Sequence, residues 1–234
     1  ARLAQSRERN VQLGDGLAPT MLVVERLGEI GVQRGASPDA LDGSAVDGAI
    51  HLPYALNPML VEYVRHDTTI PVGYWRSVGY SINCFAVESA IDEIALATGV
   101  DPLTLRRQLL SASTDPLAAR TLAVVNAAAA LAGWETTAVP AGRARGIAVG
   151  QAFGTIVAEV AEISAPVAGN FILHKVACAV DCGMAVNPNS VEAQMQGGIF
   201  HGLSACKWGE LKWTAGKSSV TNFNKYRMTR LSEA

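Results

Sequence analysis

Apolar residues recur at helical spacing through the middle of the chain and predict three helices. The first stripe covers 85–98 and ends before Gly99, a residue type that commonly stops helices. Asp101 is followed by proline, which predicts an N-cap and the start of a second helix. Asp115 is followed by proline in the same way and precedes an alanine-rich stretch that ends at Gly133. We therefore predict three consecutive helices in this part of the chain.

Runs rich in valine and isoleucine predict strands on both sides of this helical block. Before the block, short strands are predicted at 21–26 and at 60–65, the second as an edge strand because its alternation is imperfect. After a linker of glycine, proline and arginine at 140–146, the runs 154–163 and 171–180 predict an antiparallel hairpin.

The last part of the chain continues the mixture of helix and strand. A helix is predicted at 190–205, and a second hairpin pairs 211–213 with 219–223. Together with the absence of an internal repeat, this pattern indicates an α+β fold with mixed or antiparallel sheets and packed helices. We expect two subdomain portions, at 1–140 and at 141–234.

Composition narrows the classes of function. The chain has 234 residues, of which 49% are hydrophobic, so it is long enough to bury a core. A net charge of -2 argues against a general nucleic-acid binder, and no apolar run approaches the roughly 18 residues that span a bilayer. The cysteines form no CxxC pair and the histidines show no metal spacing, so we predict no metal site and favour free buried thiols over a disulfide. The cysteines are Cys84, Cys178, Cys182 and Cys206.

The segment 71–83 is predicted to be a loop that presents a cation just before the first helix. Arg76 stands between Trp75 and a Ser-Val-Gly turn, and the helix that follows adds backbone N–H donors. A guanidinium in this place can form paired hydrogen bonds with a phosphate or a carboxylate. The other interpretation is an arginine that stacks on Trp75 or pairs with a surface acid, and the residues alone leave both open.

The predicted helix at 190–205 combines glutamine with glycine. Gln194 both donates and accepts hydrogen bonds, which suits the mixed edge of a heterocyclic ligand. Each glycine in a helix interior costs about 0.5–1 kcal/mol relative to alanine, so the cluster of three that follows indicates a close approach. Either a ligand or a neighbouring backbone makes that approach, and the second case leaves the glutamine facing solvent. The glycines are Gly197, Gly198 and Gly202.

The acidic residues do not predict a catalytic pair. Asp181 ends a predicted strand at a turn, where an aspartate more typically caps the loop than acts as a base. Glu159 and Glu162 lie three positions apart on one predicted strand, so their side chains point to opposite faces of the sheet. The chain also lacks a P-loop, a GxGxxG fingerprint and a GxSxG elbow. No catalytic residue is therefore predicted within the chain.

Taken together, these runs resemble the molybdenum-cofactor (large) subunit of the xanthine dehydrogenase and aldehyde oxidase family, in its isoquinoline 1-oxidoreductase-like branch. The resemblance covers about 50–234, and the order and spacing of the runs make it specific. The runs that carry it are Leu52-Pro53-Tyr54, Trp75-Arg76-Ser77-Val78-Gly79, Phe153-Gly154-Thr155, Asp181-Cys182-Gly183, Asn187-Pro188 and Gln194-Met195.

The resemblance implies that both subdomain portions belong to a molybdopterin-binding domain, which holds molybdopterin cytosine dinucleotide with its molybdenum. Val78 falls where relatives place an aromatic residue against the substrate, which implies a wider or differently shaped pocket here. By position, the cofactor-binding residues are Arg76, Gly79, Gln194 and Gly197, and the substrate-pocket residues are Trp75 and Val78.

The resemblance also implies partners. An iron–sulfur subunit with [2Fe–2S] clusters is expected to take up electrons, and the remaining part of the molybdenum subunit is expected to complete the site. The expected substrate is a small aromatic N-heterocycle or an aldehyde, which the sequence does not distinguish. The sequence leaves the compartment open between bacterial cytoplasm and periplasm.

The chain departs from the family pattern at three places. Gly150-Gln151-Ala152 replaces the usual His-Glu-Ser, and Gln196 stands where an acid is common. The glutamate that serves the family as general base is expected beyond Ala234, and further cofactor loops are expected before Ala1. The leading expectation is thus a portion of a molybdenum hydroxylase large subunit, or one chain of a split version.

Two alternatives stay open at this stage. A non-catalytic scaffold or interaction subunit would retain the fold without the chemistry, and the polar groups lost at 150–152 fit that interpretation. An unrelated α+β binding domain is the weaker alternative. The family interpretation requires a pterin-sized cleft between the 71–83 loop and the 190–202 helix. Absence of such a cleft would favour the unrelated domain.

Overall fold

The computed structural model of the chain describes residues 43–56, 59–61, 73–167, 170–230 and 233. The predicted strand at 21–26 lies outside the described residues, as does most of the predicted edge strand at 60–65. Within the described ranges the fold is α+β, as predicted, and its sheets are antiparallel. The predicted division at residue 140 is not tested by the architecture and stays a prediction.

The three predicted helices are present as α1 (Gly79–Thr98), α2 (Pro102–Ser111) and α3 (Ala118–Ala132). Gly99 and Gly133 end α1 and α3 in the left-handed conformation, each with φ of 66°. Glycine adopts this conformation without the steric penalty that other residues incur, which is why both helix ends are visible in the sequence.

The beginnings of the helices follow the sequence less closely. The Asp101 carboxylate accepts a hydrogen bond from the Thr104 amide at 2.9 Å, so the predicted N-cap of α2 is confirmed. Helix α1, however, starts at Gly79 and not at residue 85, so the predicted loop 71–83 is too long. Asn83 lies within the helix, where its buried side chain donates to the carbonyl groups of Ala45 and Asp47.

A three-stranded antiparallel sheet follows the helices, formed by β1 (Ala144–Ala152), β2 (Thr155–Val167) and β3 (Asn170–Asp181) in that spatial order. The predicted hairpin of 154–163 with 171–180 is confirmed as β2 and β3. Strand β1 is not predicted by the sequence, and part of it lies in the segment predicted to be a linker. Its buried residues Ile147 and Val149 alternate with small residues, so the apolar alternation is short and weak.

The helices and the sheet share one hydrophobic core. Helix α3 packs on β2 and β3, while α1 lies along the free edge of β1. At that edge the Val149 amide donates to the Glu88 carboxylate at 2.9 Å, and the Cys84 thiol donates to the Val149 carbonyl at 3.7 Å. The helix thereby covers an edge strand whose backbone groups would otherwise be unpaired.

A buried cation ties this core together. Arg106 of α2 is fully buried and donates to Glu88 at 3.0 Å and to Asp92 at 2.6 Å. Glu88 also accepts from the Tyr54 hydroxyl at 2.9 Å, which attaches the segment before α1 to the helices. Burial raises the pKa of Glu88, and the charge of Arg106 opposes that rise. Loss of either charge would leave the other one buried without its partner.

The C-terminal part contains α4 (Pro188–Trp208), a small hairpin of β4 (Trp213–Thr214) and β5 (Lys217–Ser218), and a short 3-10 helix at Phe223–Lys225. The predicted helix at 190–205 is confirmed and is longer at both ends. The second hairpin is present, but its first strand shares only Trp213 with the predicted 211–213, and its second strand ends before the predicted 219–223, which is therefore wrong. Ala215 and Gly216, both at positive φ, form its two-residue turn, and a 3-10 helix replaces the end of the predicted second strand. No helix in the described ranges is long and apolar enough to cross a membrane.

Candidate functional site

The loop before α1 meets α4 across a wide sequence separation. The Arg76 guanidinium donates to the Gln194 side-chain oxygen at 3.4 Å, although the two residues are 118 positions apart. Trp75 lies beside His201 with ring centroids 5.2 Å apart and planes inclined by 49°. The fold thus brings together the arginine and the glutamine that the sequence predicted to share one site.

The same loop has a strained backbone. Ser77 and Val78 adopt φ of 65° and 56°, and ψ of Val78 is -131°. Residues held in such sparsely populated conformations cost about 1–3 kcal/mol each, and a β-branched valine is poorly suited to a positive φ. The Arg76 carbonyl is fixed by the hydroxyls of Ser77 at 2.6 Å and Ser81 at 3.2 Å. Strain of this kind concentrates at ligand-binding and active sites, so it supports a functional role for this loop.

Gly79 has a packing reason for being glycine. A Cβ atom added to it would lie 2.1 Å from the Ser44 carbonyl oxygen, a distance that no real Cβ atom tolerates. The residue lets α1 pack directly against the 3-10 helix at Gly43–Val46. The structure therefore explains Gly79 by helix packing, and its predicted contact with a cofactor stays a prediction.

The glycines of α4 are in the opposite situation. A Cβ atom added to Gly197, Gly198 or Gly202 meets no atom of the described residues within 4 Å. Tight packing against a neighbouring strand, the alternative left open by the sequence, is therefore not observed in this part of the molecule. These glycines leave a strip of bare helix backbone that a flat ligand can approach closely.

Four residues of α4 form one stripe. Gln194, Gly197, Gly198 and His201 follow the spacing i, i+3, i+4 and i+7, which places them on the same side of a helix. The Nε2 atom of His201 is buried and has no hydrogen-bond partner among the described residues. Sequence reasoning missed His201 because the histidines were searched only for metal spacing, whereas its helical offset from Gln194 would have revealed it.

The loop before α4 is held by an ion pair. The Asp181 carboxylate accepts from the Gly183 amide at 3.1 Å and from the Arg120 guanidinium at 2.8 Å. The hydrogen bond from Arg120 lowers the pKa of Asp181 to about 2, so this group is an ionised cap and not a base. The predicted capping role of Asp181 is confirmed, and the contact fixes the end of β3 to α3.

The remaining acids follow the prediction, whereas the thiols follow it only in part. Glu162 pairs with Arg143 and Arg145, while Glu159 points to the other face of the sheet, so the two carboxylates form no dyad. All four cysteines are free thiols, as predicted. Their predicted burial is not confirmed, because three of them are half-buried and Cys206 is exposed on α4, which little of the described chain covers.

The arrangement suits a large polar ligand with anionic groups. Arg76 supplies a cation, Gln194 a donor and an acceptor, and His201 an unpartnered ring nitrogen. The glycine strip beside them leaves room for a planar ring system. The described ranges contain no group of histidine, cysteine and acidic side chains that could hold a metal ion directly. The residues present therefore fit a pterin cofactor that carries a phosphate, and they include no carboxylate placed as a general base.

Comparison with known proteins identifies the family. Residues 77–234 match the family model of the molybdopterin cofactor-binding domain. The chain is 35% identical over 170 residues to the beta subunit of isoquinoline 1-oxidoreductase from Brevundimonas diminuta, an alignment that covers 70% of this chain and 21% of that protein. It is 32% identical over 171 residues to a nicotinate dehydrogenase chain of Pseudomonas putida, which covers 65% of this chain and 14% of that protein.

A third relative extends the match along the chain. The membrane-bound aldehyde dehydrogenase (pyrroloquinoline-quinone) of Gluconacetobacter polyoxogenes is 27% identical over 224 residues, covering 88% of this chain and 29% of that protein. The chain thus spans less than a third of the length of each of these relatives. The family model covers more than half of the chain and includes both the turn that follows Arg76 and the whole of α4. The chain therefore belongs to the molybdopterin cofactor-binding domain family.

Proposed function

We propose that this chain forms one wall of the cofactor cleft in the large subunit of a molybdenum hydroxylase. The complete enzyme would oxidise a small N-heterocycle or an aldehyde and pass the electrons to an iron–sulfur partner with [2Fe–2S] clusters. The observation that carries the proposal is the convergence of Arg76 and Gln194 at 3.4 Å beside the bare backbone of Gly197. The family match and the names of the relatives, which are an oxidoreductase and dehydrogenases, support the same conclusion.

Each residue of the wall has a distinct task in this proposal. The Arg76 guanidinium binds an anionic group of molybdopterin cytosine dinucleotide, and the Gln194 amide hydrogen-bonds the edge of the pterin. Gly197 allows the ring system to lie against α4 without a side chain between them. When bound, the molybdenum cofactor supplies the two-electron oxidation of a carbon atom. The residues of this chain bind and orient that group and do not transfer the proton.

The strained turn supplies the substrate side of the wall. Trp75 is held against His201, and Val78 lies in the strained turn just before α1. An aromatic face and a small apolar side chain favour a flat apolar substrate over a charged one. The general base is proposed to come from a segment of the large subunit outside this chain.

Replacement of Arg76 in the complete protein tests the proposal. Arg76→Ala should lower the molybdenum content of the purified enzyme, because the anionic cofactor loses its cation. Arg76→Lys should restore part of the content, since it keeps the charge but not the paired hydrogen bonds. Arg107→Ala is the matched control, because Arg107 forms an exposed ion pair with Glu135 away from this site.

The outcome separates binding from catalysis. Metal analysis gives the occupancy, and turnover of a heterocyclic substrate per bound molybdenum gives the activity. We expect occupancy to fall in Arg76→Ala and to be unchanged in Arg107→Ala. Equal occupancy and equal turnover in all variants would remove Arg76 from the site.

A further inference from the structure

A cavity lies behind the strained loop, between α1, β1, β2 and the segment before α1. Its volume is about 310 Å³, whereas a cavity of about 150 Å³ already accommodates benzene in another protein. Most of its lining is apolar or small, including Leu52, Tyr80, Val87, Ala148, Gly150 and Val157. None of the residues predicted to contact the cofactor lines it, so it is a site of its own.

The floor of this cavity is one face of the β1–β2 pair. Ala148 and Gly150 of β1 face the same side as Val157 and Glu159 of β2, because Ala148 is opposite Glu159 and Gly150 is opposite Val157. Because both β1 residues on this face are small, the backbone of β1 is open to a flat apolar group. Glu159 is therefore the one acidic side chain on this floor, beside an otherwise apolar surface.

Glu159 has no cationic partner in the described part of the chain. Its carboxylate interacts with the thiol of Cys178, which lies directly opposite on β3. Burial raises the pKa of Glu159, which reflects the cost of a carboxylate without a compensating charge. The other carboxylate of the lining, Glu88, is already paired with Arg106 and with Tyr54.

Several polar groups around the cavity offer acceptors. The hydroxyls of Ser77 and Ser81 both donate to the Arg76 carbonyl, which leaves only their lone pairs free. The amide nitrogen of Gln151 donates to the His51 carbonyl at 3.0 Å, while its buried oxygen has no partner among the described residues. The donors of these three side chains are used within the protein, so their free acceptors suit a ligand that carries donors.

We propose that this cavity binds a small amine or amidine with an apolar, planar body. The cationic nitrogen donates hydrogen bonds to the Glu159 carboxylate, and the body lies on Ala148, Gly150 and Val157. A charged group pairs with the one uncompensated acid of the cavity, and the apolar part displaces water from the small-residue floor. The proposal does not depend on the cofactor site.

Benzamidine is a suitable probe, and benzamide is its neutral counterpart of nearly the same shape. Isothermal titration of the complete protein in its cofactor-free form should show saturable binding of benzamidine and much weaker binding of benzamide. Glu159→Gln keeps the shape of the side chain and removes the charge. It should therefore lower the affinity for benzamidine at least about tenfold, as expected for a charge-assisted hydrogen bond. Glu162→Gln is the control, because Glu162 lies on the opposite face of the same strand.

A second variant tests the location independently of charge. Ala148→Leu fills the floor and should abolish the binding of both probes while Glu159 stays in place. Circular dichroism and thermal unfolding establish that each variant is folded. Absence of saturable benzamidine binding to the wild type would overturn the proposal. Equal affinity in Glu159→Gln, or binding that persists in Ala148→Leu, would overturn it as well.

Discussion

Two glycines that the sequence assigned to one role are predicted to respond in opposite ways to the same substitution. Gly197 is exposed in the interior of α4, and a Cβ atom added there meets nothing within 4 Å. Glycine in a helix interior is about 0.5–1 kcal/mol less favourable than alanine. Gly197→Ala should therefore raise the free energy of unfolding of the cofactor-free protein by about that amount.

Gly79→Ala should lower the same quantity. The new Cβ atom would lie 2.1 Å from the Ser44 carbonyl oxygen, which is rigid backbone, so α1 or the 3-10 helix beneath it has to shift. Overpacking of this kind costs about 1–3 kcal/mol. The difference between the two variants is therefore well above the error of a denaturation measurement.

Cofactor content adds a second and independent observable. If the pterin lies against the glycine strip of α4, the methyl group of Gly197→Ala intrudes on it, so molybdenum content falls although the protein becomes more stable. Urea unfolding followed by helical circular dichroism gives the first quantity, and metal analysis of the purified enzyme gives the second. Gln196→Ala is the control, because Gln196 lies on the other side of α4, where it donates to Glu192.

Two results would refute this reasoning. A destabilised Gly197→Ala protein would mean that another part of the molecule packs on the strip. A stabilised Gly197→Ala protein with full molybdenum content would mean that the cofactor does not approach this side of α4.

Further predictions concern strain, pH and the buried charges. Val78→Gly should stabilise the protein by about 1 kcal/mol in urea unfolding, because it relieves the positive φ, and it should also alter the substrate KM. Since burial raises the pKa of Glu159, its stabilising contribution is complete below the ordinary carboxyl pKa of about 4.3 and is lost as the pH rises through the raised value. As the pH rises, the free energy of unfolding should accordingly fall less in Glu159→Gln than in wild type. An identical fall in both proteins would contradict the assignment. Arg106→Ala leaves the buried Glu88 carboxylate without its partner, so it should lower the free energy of unfolding in urea by about 3–5 kcal/mol. A decrease below about 1 kcal/mol would show that the pair is dispensable.

The helix ends were predictable because their causes are local. Gly99 and Gly133 act through their own backbone conformation, and Asp101 caps an amide three residues away. The start of α1 was not predictable in this way, because Asn83 is satisfied by carbonyl groups 36 and 38 positions earlier in the chain. Strand β1 was not predicted for a related reason. The backbone groups of Val149 are paired with side chains of α1 and not with a further strand.

The candidate site was likewise predictable only in part. Arg76 and Gln194 were named from the resemblance, and the fold then placed them within hydrogen-bonding distance. The residues alone left open what the glycines of α4 pack against, because that depends on which surface lies opposite them. The cavity at Glu159 could not be predicted, since it arises where small residues of β1 lie beneath the first turns of α1.

The most direct test of the central claim is the stoichiometry of molybdenum and CMP in the complete protein. Acid hydrolysis releases CMP from a bound cytosine dinucleotide, and metal analysis of the same sample gives the molybdenum. The account predicts equimolar amounts of both in the wild type and a parallel fall of both in Gln194→Ala. Wild-type protein without molybdenum, or a Gln194→Ala variant with the full amount of both, would contradict the claim that this wall holds the cofactor.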